Sequence, residues 1–267
     1  MEATDRPLEG QRVLLTREHS QVASLAEMLR ARGASPVACP LIAFHPPEDW
    51  GPVDRCLENL DRYQGFLFTS VNAVSFFFGR MESTGTSPAP LTRGLCFAVG
   101  PATAAALRAR GVPVKAVPDR YQAEGLADLL DREDLRGTRF LFPRARSARD
   151  VLTRYLEERG VPVDLAVVYE TRKALENQER LQAVLVSREL DYITFTSTST
   201  VRFFREMAGP QTASSLWQAI PAACIGEITS RAAGESGFRT VLTAPESTLQ
   251  GLVRVLVRHA GEKRNRD

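Results

Sequence analysis

Six short clusters in this sequence combine hydroxyl, glycine and arginine residues: Thr16-Arg17, Thr69-Ser70, Gly100 with Thr103, Pro143-Arg144, Thr196-Ser197 and Gly226 with Thr229. Each follows a short apolar run and precedes a helix-forming stretch, where a strand of an α/β sheet ends and a helix begins. A helix N-terminus leaves N–H groups unpaired and carries the positive end of the dipole, so such a junction accepts anions. In open α/β sheets, ligands bind beyond the carboxyl ends of the strands. Thr16, Arg17, Thr69, Ser70, Gly100, Thr103, Arg144, Ser197, Gly226 and Thr229 are therefore the candidate binding residues, and with Arg146 and Arg149 they suit a large polyanion. A Ser or Thr here is also an ordinary N-cap, worth about 1 kcal/mol without any ligand. Capping and binding both remain open at this stage. Tyr169, within the VYET run of residues 168–171, is the candidate for proton transfer. A phenol with a pKa near 10 stays protonated at neutral pH and can donate; packing of its ring on a strand is the alternative.

The clusters recur because the chain repeats itself. Gly10, Arg12, Leu14, Arg17, Leu25, Leu29 and Gly33 return as Gly137, Arg139, Leu141, Arg144, Leu152, Leu156 and Gly160, a spacing of 127 residues. Phe68, Thr69, Ser70, Phe76 and Phe77 return as Phe195, Thr196, Ser197, Phe203 and Phe204 at the same spacing, and Gly100 and Thr103 as Gly226 and Thr229 one residue shorter. Solenoid repeats run to about 50 residues, so this period signals a duplicated half of a two-domain protein. Tyr169 breaks the pattern, since its counterpart is Ile42.

Strand-like runs at 12–16, 65–69, 96–99, 139–142, 192–196 and 222–225 alternate with amphipathic stretches such as 21–32 and 148–159. Alternation of this kind predicts an α/β fold of parallel sheets flanked by helices. Two extended stretches stand outside it, 37–45 and 163–172, and are expected to be strands joining two similar domains. The expected organisation is a discontinuous domain of residues 1–36 plus 173–260, a second domain at 46–162, a surface loop at 83–93 and a disordered tail at 261–267.

With 43% hydrophobic and 25% charged residues over 267 positions, the composition is that of a globular protein. A net charge of +2 gives no drive toward nucleic acid or membrane. Cys39, Cys56, Cys96 and Cys224 are scattered, as are His19, His45 and His259, so no metal or redox spacing is present. Nothing reads as a signal peptide or a spanning run, and a cytoplasmic monomer is expected. Dinucleotide, P-loop, nucleophile-elbow and zinc-protease motifs are absent, which points to chemistry without metal or cofactor.

The motifs VLLTRE (13–18), FTSVNAV (68–74), AVGPATAAAL (98–107), FLFPRA (140–145), VYET (168–171), FTSTSTV (195–201) and CIGEITSRA (224–232), in this order, resemble the uroporphyrinogen-III synthase family over nearly the whole chain. The resemblance implies two α/β domains joined by a two-stranded linker, with the active site in the cleft between them. It also implies a cofactor-free lyase that closes hydroxymethylbilane, a polycarboxylate, into uroporphyrinogen III with inversion of the last pyrrole ring. Tyr169 is similar to the family tyrosine that assists departure of the hydroxyl, and Thr69, Ser70, Thr103, Ser197 and Thr229 to its carboxylate-binding positions. Glu227 stands at a helix start that would have to face an anion. The alternatives are a non-catalytic tetrapyrrole- or polyanion-binding protein of the same fold, and an unrelated transferase acting on phosphorylated substrates.

Overall fold

A computed structural model describes residues 6–119, 122–209 and 214–264, except for the side chains of residues 19–21. The chain divides into two compact units, Met1–Ala43 with Arg172–Asp267, and Phe44–Thr171. In chain order the strands are β1 (Arg12–Leu15), β2 (Ser35–Ala38), β3 (Ile42–His45), β4 (Gly65–Phe68), β5 (Leu95–Ala98), β6 (Phe140–Ala145), β7 (Val163–Lys173), β8 (Tyr192–Phe195), β9 (Ala222–Cys224) and β10 (Val241–Thr243). The helices are α1 (His19–Arg30), α2 (Gly51–Glu58), α3 (Val71–Thr84), α4 (Ala89–Arg93), α5 (Pro101–Arg108), α6 (Ala123–Leu130), α7 (Val151–Glu158), α8 (Gln178–Val186), α9 (Thr198–Ala208), α10 (Ser214–Gln218), α11 (Glu227–Glu235) and α12 (Leu249–Arg264).

The first unit holds a five-stranded sheet in the order β10-β9-β8-β1-β2. Its four strand pairs run parallel. Connections lead one way from β1 to β2 and the other way from β8 through β9 to β10. The winding therefore reverses between β1 and β8, a position that opens a crevice at the carboxyl ends of those strands. The second sheet has the order β3-β7-β6-β4-β5, with β4–β5, β4–β6 and β6–β7 parallel. Here the reversal falls between β4 and β6, which are followed by Thr69-Ser70 and by Arg146.

Both faces of each sheet are covered, so central strands such as GFLF (β4) and YITF (β8) are buried at every residue. Alternate residues of β4 serve different cores. Phe66 and Phe68 pack with Val74, Phe77, Phe78 and Leu107 on one face, while Leu67 joins Phe140, Phe142, Leu126 and Leu152 on the other. The first unit is filled by Leu15, Leu25, Leu29, Tyr192, Leu252 and Leu256 on one face. An aromatic cluster of Phe195, Phe204, Trp217 and Phe238 also packs within this unit.

The repeat is visible in how corresponding helices stop. After α1, Ala34 N–H bonds Leu29 O, and Gly33 takes a φ of 91°. After α7, Val161 N–H bonds Leu156 O, and Gly160 takes a φ of 67°. This left-handed turn closes the last helical carbonyls and favours glycine in both halves.

Three sequence expectations are corrected. Residues 37–45 do not form one strand: β2 pairs with β1 in the first sheet and β3 lies at the edge of the second, with Cys39-Pro40-Leu41 between them. Cys39 N–H and Leu41 N–H still donate to Leu15 O and Thr16 O on either side of Pro40, after which the chain leaves the first sheet. Residues 83–93 are not a plain loop, because α3 runs to Thr84 and Leu91, fully buried, anchors α4 behind two prolines suited to a helix start. The expected tail at 261–267 is helical to Arg264, since Val253, Leu256 and Ala260 keep α12 packed on the core. Residues 265–267 lie outside the described residues.

Candidate active site

In the second unit, β4 ends at Phe68, and Thr69-Ser70 carries the chain into α3. Ser70 is the N-cap: its backbone is extended (φ −159°), and its Oγ accepts from Ala73 N–H at 3.0 Å. The same Oγ lies 3.1 Å from the hydroxyl oxygen of Tyr169, which arrives on β7. The Tyr169 ring is 7% exposed. It stacks on Phe76 of α3, with centroids 5.5 Å apart and planes 15° apart, and meets Phe44 edge-on at 5.5 Å and 90°. Burial raises the phenol pKa above its ordinary value of 10, against smaller opposite effects of hydrogen bonds with Ser70 and Asn72. Tyr169 is thus fully protonated at neutral pH and holds its proton beside the first turn of α3.

The other helix in this unit that starts at a cluster is α5. Gly100 is its extended N-cap (φ −161°) and has no side chain to bond the first turn, with Pro101 following. Its first-turn N–H groups are left for another acceptor, unlike the one in α3 that Ser70 already fills. Thr103, in that turn, is only 4% exposed.

Arg144 does not reach a ligand position. It sits inside β6, paired with Val167 just before a register shift, and is 4% exposed. Its guanidinium bonds Asp150 at 2.9 Å, Thr153 Oγ1 at 3.3 Å and the Ala148 carbonyl, and lies 5.3 Å from the Phe142 ring centre. These contacts tie β6 to the start of α7. The exposed Arg146 bonds Glu170 at 2.6 Å, and Arg149 bonds Glu124 at 2.9 Å.

In the first unit, Thr16 is also structural. It is fully buried, its Oγ1 donates to Thr194 O at 2.6 Å, and Thr194 Oγ1 donates back to Leu14 O at 2.9 Å. This reciprocal pair joins β1 to β8 at the winding reversal. Arg17 is half-buried, and burial lowers its pKa, while Glu18 acts in the opposite sense. Ser197 caps α9 in a reciprocal box: Thr200 N–H donates to Ser197 Oγ at 3.2 Å, and Ser197 N–H donates to Thr200 Oγ1 at 3.3 Å. Gly226 is the extended, side-chain-free N-cap of α11, and a Cβ there would come within 2.8 Å of Ser247 Oγ. Thr229 is 6% exposed, and Glu227 is exposed.

The serines at the strand ends thus satisfy their own helices, whereas the glycine junctions leave N–H groups available. Sequence reasoning did not single out Phe44, Asn72 or Thr194. Phe76 belonged to a repeated block, yet no chemistry was attached to it, because its partner lies 93 residues away on β7 (Phe76 to Tyr169). Among the described residues, no group of His, Cys, Asp and Glu could hold a metal ion, and no helix is long and apolar enough to cross a membrane.

Two doubly wound, predominantly parallel sheets flanked by helices, with helix N-termini following the carboxyl ends of their strands, define a two-unit α/β protein. The chain belongs to the uroporphyrinogen-III synthase family, whose model, described as uroporphyrinogen-III synthase HemD, matches residues 23–254. The porphyrin biosynthesis protein HemD of Ruminiclostridium josui is 31% identical over 260 residues, covering 96% of this chain; the chain spans about half of that relative, 50%. Uroporphyrinogen-III synthase of Synechococcus elongatus is 30% identical over 257 residues, covering 93% of this chain and 95% of its own. The fold is shared with a crystal structure of a mutant uroporphyrinogen III synthase from Thermus thermophilus (TM-score 0.65, 21% identity, 95% of this chain and 99% of that one). It is also shared with the Helicobacter pylori enzyme (TM-score 0.61, 21% identity, 93% and 99%).

Proposed function

We propose that this chain is a hydro-lyase that cyclises hydroxymethylbilane to uroporphyrinogen III, inverting the last pyrrole ring and releasing one water. It would act as a cytoplasmic monomer without a cofactor. The observation that carries this reading is Tyr169, a buried phenol that retains its proton and lies beside the N-terminus of α3. The leaving hydroxyl needs a hydrogen-bond or proton donor as its C–O bond breaks, and a protonated phenol supplies one at neutral pH. Once water departs, the substituted carbon of the last ring attacks the exposed methylene, and a spiro intermediate resolves into the inverted macrocycle. No electrons are transferred in this sequence, and the protein's main task is to hold a flexible chain in the reactive geometry. The substrate's carboxylates match the side-chain-free N-termini of α5 and α11, with Arg17 as a further partner. Ser70 and Ser197 fix the starts of α3 and α9, and Thr69, Thr103 and Thr229 stand beside the junctions that receive the carboxylates.

The test is to generate hydroxymethylbilane in situ and separate the uroporphyrin isomers after oxidation. A protein-dependent rise of isomer III is the expected result. Isomer I alone, from folded protein, overturns the proposal.

A further inference from the structure

We infer that Phe76 is a positioning residue for Tyr169, one wall of an aromatic clamp whose other wall is Phe44; the inference rests on Tyr169 being the proton donor proposed above. The phenol oxygen is met by Ser70 Oγ at 3.1 Å and by Asn72, and contacts at that one atom do not fix the plane of a ring. The plane is fixed by the two phenylalanines, Phe76 stacked at 15° and Phe44 edge-on at 90°.

Phe76 packs on the margin of the core and is only partly buried, whereas its neighbours Phe77 and Phe78 lie inside it at 0% and 4% exposure. Away from Tyr169 it borders a cavity of about 290 Å³ that is also lined by Trp50, Ser75 and Arg80. The internal repeat gives the contrast. The equivalent of Phe76 is Phe203, 6% exposed, and the equivalent of Tyr169 is Ile42, so the half without the tyrosine buries its phenylalanine. Ser70, Asn72 and Phe76 all belong to the first turns of α3 or its cap, so one helix holds both the phenol oxygen and the ring face.

Loss of the ring at position 76 frees Tyr169 to turn and admits water to it. The experiment compares Phe76→Leu and Phe76→Tyr, each alone and combined with Tyr169→Phe, and follows turnover to isomer III together with the Tyr169 phenol pKa by ¹³C NMR of labelled tyrosine. Phe76→Leu is expected to lower kcat about tenfold with KM within twofold, and Phe76→Tyr, which keeps a stacked ring, to stay within twofold. In the Tyr169→Phe background, Phe76→Leu should change the residual rate by less than twofold. Phe76→Leu should also bring the Tyr169 pKa down toward 10. Equal loss in both backgrounds, an effect on KM alone, or an unmoved Tyr169 pKa each overturns the inference. The titration needs no turnover, so absence of isomer III from the unaltered protein refutes the proposed function while the clamp is still decided by the pKa.

Discussion

Replacing Tyr169 by Phe separates chemistry from architecture in this protein. The substitution removes one oxygen. It leaves a ring of the same shape between Phe76 and Phe44, so both aromatic contacts survive. The structural losses are the phenol's contacts with Asn72 and with Ser70 Oγ, which still accepts from Ala73 N–H. A hydrogen bond of this kind is worth about 1 kcal/mol net. In a unit of this size that corresponds to a fall of roughly 2–8 °C in the melting midpoint. The catalytic loss is much larger, since removing a general acid or donor at the leaving group costs about 10²–10⁴-fold. The two effects therefore differ enough to be distinguished in one preparation. Turnover is read from the isomer ratio after in situ generation of the bilane, because unassisted closure proceeds without inversion and appears as isomer I. Stability is read by calorimetry. An isomer III rate within threefold of the unaltered protein would refute the role of Tyr169, and a collapse of the fold would refute the account of its packing. The sign of the pH effect follows from the raised phenol pKa. Tyr169 stays protonated through neutral pH, so its contribution to turnover and to stability persists below 10, and both fall as pH rises through the elevated folded value.

Thr16→Val should destabilise the first unit by about 1 kcal/mol through loss of the Thr16–Thr194 bond, leaving KM unchanged; a raised KM at unchanged denaturation midpoint would return Thr16 to the binding residues. Arg144→Gln should cost about 2–3 kcal/mol by urea denaturation, because charge-assisted bonds to Asp150, Thr153 and Ala148 are lost together. A stable variant with impaired KM would mean that Arg144 contacts substrate instead. Asp54 accepts two bonds from Arg80, and those bonds hold its pKa below the usual carboxylate value. That stabilisation is present above the unfolded carboxylate pKa and fades as pH falls through the depressed folded value, so Asp54→Asn should flatten the acid limb of the stability curve; an unchanged limb contradicts the assignment.

The amino-acid sequence by itself determined the duplication, the alternation of strands and helices, and the position of each polar cluster at a strand-to-helix junction. Those features depend on local periodicity, on capping chemistry and on glycine at left-handed turns such as Gly33 and Gly160, all encoded within a few residues. It also singled out Tyr169, because a residue that breaks a repeat stands out without any structure. Only the tertiary structure decided which cluster residues face inward. Thr16 and Thr69 are alike as sequence, yet Thr16 is sealed against Thr194, on a strand 178 residues away. Arg144 reads as a ligand arginine until β6 extends past it, a register shift follows, and its guanidinium turns to Asp150. Phe76 acquires its role only because β7 brings Tyr169 against its face. Side-chain direction at a sheet edge depends on strand register and on neighbours distant in the chain, and no local pattern encodes either.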